Sequence, residues 1–178
     1  ALVALGISSP SRSEEAAALP LRARPPAYTL ADIRRVYEAE GEEIFPRGGL
    51  NHLRSVAQAF EAKYHADSLE RLLERYFGEA AIGDALTEVI VPAYETVRRR
   101  AFFFKRSGSK QFLMRDVARA TTAAPTFFPP ALIRSVPDDG ESYSFIDGGI
   151  FANNPALCGY VEARELMPHR RDFFVLSL

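Results

Sequence analysis

The chain has 178 residues, 47% of them hydrophobic, with 22 basic and 23 acidic side chains and a formal net charge of -1. That length suits one domain, which buries roughly two-thirds of the surface an unfolded chain exposes. The balanced charge gives no electrostatic reason to expect nucleic acid, no apolar segment approaches the roughly 18 residues of a membrane span, and the single Cys158 excludes an intramolecular disulfide.

The first residues, "ALVALGI", read as an apolar helix with no capping residue before it. Residues 8–26 are rich in Ser, Pro and charge and read as an exposed loop. Leu30, Ile33, Val36 and Tyr37 recur at helical spacing, with Thr29 as N-cap and Gly41 as the stop. Residues 50–64 and 67–78 read as two more amphipathic helices; in the second, Leu69, Leu72, Leu73 and Tyr76 share a face and Gly78 ends it. "TEVIVPAYE" and "AFFFKR" are β-branched and aromatic runs, hence strands, joined by a solvated connection that carries Arg98-Arg99-Arg100. "MRDVARATTAAP" is a small-residue helix stopped by Pro125, "TFFPPALI" an apolar loop and "YSFI" a strand. The next helix, "NPALCGYVEAREL", has Asn154 as N-cap and Pro155 in first position, with Cys158 as core. "FFVLSL" reads as a buried strand with no turn after it. Helices alternating with short apolar strands predict an α/β fold, its sheet mainly parallel and covered on both faces. Both ends fall inside buried elements, so residues 1–178 are expected to be one domain cut from a larger fold, truncated at each end.

None of the three histidines (His52, His65, His169) has metal-ligand spacing, and neither a phosphate loop nor a dinucleotide fingerprint is present. Ser107-Gly108-Ser109 is a tight turn after a strand. The candidate site is "DGGIFANNPA", residues 147–156. Asp147 is predicted at the carboxyl end of a strand, where ligands of open α/β sheets bind. Gly148 and Gly149 let another backbone or a substrate approach the carboxylate. Phe145, Ile146, Ile150 and Phe151 lower the local polarity, a setting in which a carboxylate can act as a base. The residues alone leave two readings open: a catalytic base, or a turn aspartate that caps the segment after it. Thr126-Phe127-Phe128-Pro129-Pro130 reads as core packing ahead of an acyl-chain pocket, and Thr121-Thr122-Ala123-Ala124 as small residues that let a helix pack closely beneath the site.

"DGGIFANNPA" preceded by "ARATTAAPTFFPPA" resembles the patatin-like phospholipase family. "GEEIFPR", "RYFG", "LTEVIVPAYE" and "VLSL" resemble it in the same order, and "ALVALG" is similar to the helix that follows the family's G-x-S-x-G turn. The resemblance implies a three-layer lipid acyl hydrolase that uses a Ser-Asp dyad without histidine or cofactor. Asp147 then matches the dyad base, and Gly148 and Gly149 complete the motif. The nucleophile and oxyanion hole match nothing in the chain, and the serine is expected three positions before Ala1, so the chain alone is expected to be inactive. The resemblance implies a lipid substrate, transient contact with a membrane surface, and a cytoplasmic or membrane-peripheral location. Only three basic residues are lysine (Lys63, Lys105, Lys110), a bias matching GC-rich bacterial genomes. Two alternatives accompany this reading: a non-catalytic module of the same fold that binds lipid or protein, and a phosphohydrolase in which Asp147 binds Mg²⁺.

Overall fold

A computed structural model describes residues 2–40 and 66–177. The expected helix over 50–64, the stop at Gly41, and both His52 and His65 lie outside the described residues. Helix α1 spans Leu2–Ser8. It ends where the Ser8 and Ser9 hydroxyls turn back onto the Ala4 and Leu5 carbonyls, at 2.6 and 2.9 Å, in competition with the backbone ladder. The segment expected to be a loop carries α2 (Glu14–Ala17), which Ser13 caps by accepting the Ala16 N–H, and a short 3-10 turn over Leu21–Ala23. Local capping overrides a composition that looked irregular. Helix α3, Leu30–Arg35, begins in a full capping box between Thr29 and Asp32 and widens into a π turn over Val36–Glu40. Helix α4 is Asp67–Phe77 and buries Leu69, Leu72, Leu73 and Phe77 on one face. Gly78 ends it at φ 52°, a backbone setting that glycine adopts without steric cost.

Four strands follow: β1 (Ile90–Glu95), β2 (Arg100–Lys105), β3 (Ala131–Ile133) and β4 (Tyr143–Asp147), in the spatial order β2-β1-β4-β3. All three pairings among the described strands are antiparallel. The expectation of a mainly parallel sheet is corrected for these strands, and the reason is connection length. Four residues join β1 to β2, whereas a parallel neighbour needs a crossover of about a dozen. Glu95 fixes that hairpin turn: fully buried, it accepts the N–H groups of Val97 and Arg98 at 3.1 and 2.7 Å.

Alternation along the strands sorts the side chains onto two faces. Val91 and Ala93 of β1, Phe102 and Phe104 of β2, and Tyr143 and Phe145 of β4 share the core face, where Phe112 joins them. Phe145 lies 5.2 and 5.0 Å, centroid to centroid, from Phe102 and Phe104; such ring pairs contribute about 0.5–1.5 kcal/mol each beyond their burial. Helix α5, Met114–Thr121, packs on this face and buries Met114, Val117, Ala118 and Ala120. Helices α6 (Gly149–Ala152) and α7 (Ala156–Leu166) reach β1. On the opposite face Phe151 meets Phe103 at 5.8 Å and Glu162 pairs with Lys105.

Three local expectations also change. Cys158 is half-buried rather than core. Pro155 sits one residue ahead of α7, where the Asn154 side chain accepts the Ala156 N–H at 3.0 Å. Residues 172–177 pair with no described strand, and Phe174 is 91% exposed, so an apolar run alone did not make a strand.

Candidate active site

Asp147 is the last residue of β4, opposite Ala93 of β1. By alternation it continues the row of Tyr143 and Phe145, so it belongs to the face that α5 covers. The row ends in charge where the core ends. Asp147 as a residue is half-buried, and its carboxylate Oδ1 accepts the Gly149 N–H at 2.7 Å. No other hydrogen bond engages the carboxylate among the described residues, leaving Oδ2 available to a hydroxyl donor.

The two glycines act differently. Gly148 has φ -68° and ψ -18°, an ordinary right-handed conformation, so a positive φ does not explain it. Close approach does: a Cβ on Gly148 would stand 2.3 Å from the Pro92 carbonyl oxygen and 2.4 Å from its carbon. A Cβ on Gly149 would meet Asp147 Oδ1 at 3.1 Å and otherwise only side-chain atoms of Asp147 and Asn153. Gly148 therefore lets β4 turn off the sheet against β1, and Gly149 begins α6 with its N–H aimed back at the carboxylate.

The sequence reading missed two contacts that fix this turn from below. The Asp147 N–H donates to the Ala123 carbonyl at 3.0 Å. The Thr121 hydroxyl, on a residue 8% exposed, donates to the Pro92 carbonyl at 2.8 Å. The small residues 121–124 are thus hydrogen-bonding partners of the site's backbone. Of the apolar neighbours in sequence, Phe145 is fully buried, but Ile150 and Phe151 are 51% and 41% exposed, and Phe151 packs on Phe103 on the opposite face, so these two do not enclose the carboxylate. In the 126–130 loop Phe128 joins the core while Phe127 stays 44% exposed, which makes the core reading right for one of the two rings.

Other sites compete poorly. Among the described residues no group of three or more His, Cys, Asp or Glu side chains converges as a metal-ligand set. His169 lies in an exposed turn, and Ser107 and Ser109 stand exposed after β2. An open groove of about 790 Å³ runs between α4, α5 and residues 129–133, lined by Glu70, Asp116 and Arg119 among others, and Asp147 is not part of it. Burial pushes the Asp116 carboxyl there above its ordinary value, against the nearby Arg115. No described helix is long and apolar enough to cross a membrane.

A family model described as patatin-like phospholipase matches residues 16–157. The chain is 34% identical over 167 residues to a cGAMP-activated phospholipase of Pseudomonas aeruginosa, covering 90% of this chain and 47% of that protein. It is 29% identical over 143 residues to patatin-like protein 2 of Oryza sativa subsp. indica (75% of this chain, 35% of the relative). It is 30% identical over 148 residues to a potato protein named probable inactive patatin-3-Kuras 1 (79% and 38%). The chain therefore spans less than half the length of these relatives, which come from plants and bacteria alike. The family-model match across most of its length and these relatives place the chain in the patatin-like phospholipase family.

Proposed function

We propose that this chain supplies the base of a lipid acyl hydrolase in which Asp147 activates a serine located in a G-x-S-x-G turn ahead of Ala1. The observation that carries the reading is the Asp147 carboxylate, with one oxygen held by the Gly149 N–H at 2.7 Å and the other left open at the end of β4. A carboxylate so oriented can take the serine proton directly, so this step needs no histidine. The serine oxygen attacks the ester carbonyl while its proton passes to Asp147 Oδ2. The tetrahedral intermediate expels the alcohol, which leaves with that proton, and an acyl-enzyme remains. Asp147 then takes a proton from a water as that water attacks the acyl carbonyl, and the second tetrahedral intermediate collapses to release the fatty acid while the serine oxygen recovers the proton from Asp147. A relative named as a phospholipase, 34% identical over nine-tenths of the chain, favours phospholipid esters as the substrate class.

The test uses a form of the protein extended upstream through the G-x-S-x-G turn and the segment that supplies the oxyanion hole, beside residues 1–178 alone. The extended form should hydrolyse a p-nitrophenyl ester with a burst and be labelled at its serine by a fluorophosphonate. Asp147→Asn in that form should lower turnover by a factor on the order of 10²–10⁴. Near-normal turnover of the Asn variant would remove Asp147 from the mechanism. An extended form that folds but neither turns over nor labels would favour a non-catalytic lipid- or protein-binding module. Labelling of residues 1–178 would mean that the nucleophile lies within them.

A further inference from the structure

Thr121 is the last residue of α5, and its hydroxyl does something unusual for such a position. A threonine at a helix end commonly bonds a carbonyl one turn back, as the next residue does, Thr122 to Ala118 at 2.8 Å. Thr121 instead reaches out of its helix to the Pro92 carbonyl of β1 at 2.8 Å. That carbonyl is the one against which Gly148 packs, where a Cβ would stand 2.3 Å away. Two residues further on, the Ala123 carbonyl accepts the Asp147 N–H at 3.0 Å. The end of α5 therefore holds both sides of the turn: β1 through Thr121, and β4 through Ala123.

The register shows what the hydroxyl does. Ala93 is the last β1 residue paired with β4, opposite Asp147. Continuing the ladder would set Pro92 opposite Gly148, but Gly148 takes helical dihedrals and leaves. A buried carbonyl left without a donor is costly, and the Thr121 hydroxyl supplies one. With Pro92 so held, Gly148 turns at a defined place, and the Gly149 N–H meets Asp147 Oδ1 at 2.7 Å.

We infer that Thr121 is a positioning residue for the Asp147 carboxylate, acting through the Pro92 carbonyl rather than by touching substrate. The inference rests on Asp147 being the base. Thr121→Val keeps the shape and removes the donor, Thr121→Ala removes it with less bulk, and Thr121→Ser keeps it. All are made in the extended, serine-bearing form, with Asp147→Asn and the Asp147→Asn/Thr121→Val double variant alongside, and folding is checked by circular dichroism.

Thr121→Val should lower kcat on a short-chain ester by about tenfold or more, because misplacing a catalytic group by a fraction of an ångström is enough. KM should stay unchanged, and Thr121→Ser should recover at least half of the loss. In the Asp147→Asn background Thr121→Val should add no further loss, since its effect passes through the carboxylate. A folded Val or Ala variant with normal kcat overturns the inference, as does a Ser variant no better than Val, or an undiminished loss in the Asn background. If neither hydroxyl-free variant folds, the role is structural and the inference is likewise overturned. Full activity of Asp147→Asn instead brings down the assignment of the base itself, which a kcat loss in Thr121→Val cannot rescue.

Discussion

Gly148→Ala isolates the tightest contact at the site. The new methyl would lie 2.3 Å from the Pro92 oxygen, 2.4 Å from its carbonyl carbon and 2.8 Å from its Cβ. Relief to 3.0 Å requires a displacement of about 0.7 Å at the oxygen alone. The obstacle is backbone in β1, paired to β2 along its whole length and to β4 beside the contact, so no rotamer change relieves it. Overpacking of this kind costs about 1–3 kcal/mol, and displacing the Pro92 carbonyl from Thr121 forfeits a hydrogen bond worth about 1 kcal/mol. Alanine regains about 0.4–1 kcal/mol through the unfolded chain because φ is already -68°. The net loss is about 1–3.5 kcal/mol, or roughly 2–14 °C in Tm for a chain of this size.

Gly149→Ala is the control. Its nearest neighbours are the Asp147 and Asn153 side chains, at 3.1 Å and beyond, and it lies in a helix where alanine is favoured, so its stability should stay within about 0.5 kcal/mol of the parent. Urea unfolding of the three proteins reads both numbers, with equal m values showing that the comparison is fair. A Gly148→Ala midpoint equal to that of the parent, or an equal loss in Gly149→Ala, refutes the argument.

Two further predictions concern the scaffold. Glu95→Ala leaves the Val97 and Arg98 N–H groups without their buried acceptor and should cost about 2–4 kcal/mol in urea unfolding; a loss under about 0.5 kcal/mol would show that the turn holds itself. Asp139 is held well below the ordinary carboxylate range, first by the Lys110 ammonium and then by the Tyr143 hydroxyl. A depressed folded-state value stabilises above the unfolded 3.8 and is lost as pH falls through the folded value. The Tm gap between parent and Asp139→Asn should thus be full near neutrality and close at strongly acid pH, and a gap that widens on acidification contradicts the sign.

What the sequence disclosed follows how local each cause is. Thr29 and the Leu69-Leu72-Leu73 stripe are read within one or two helical turns, and both sit where expected. Asp147 at a strand end was legible because an apolar run stops at a charge and two glycines. The sheet's direction was not read, although the four-residue link between β1 and β2 contained it; Thr96-Val97-Arg98-Arg99 lacks the Asn-Gly type of hairpin signal. Strand β3 was hidden behind Pro129-Pro130, which read as loop. The Thr121–Pro92 bond joins residues 29 apart in the chain, and no periodicity reports such a contact.

The antiparallel sheet changes the reason for the site's position. The rule that ligands gather at carboxyl ends of strands belongs to open sheets whose strands run together. Here β4 runs against both of its neighbours, so its carboxyl end is no common edge of parallel strands. The place of Asp147 is set locally instead. Ala123 holds its amide, Gly148 breaks the ladder against Pro92, and Gly149 orients its carboxylate. Each of these contacts engages a backbone atom of a small residue, which explains why residues 121–124 and 148–149 are threonine, alanine and glycine. Bulk at 121–124 or 148 would move the end of β4, and with it the carboxylate, while leaving the aromatic core around Phe145 in place. The site can therefore fail without the fold failing, and turnover measured beside stability separates the two.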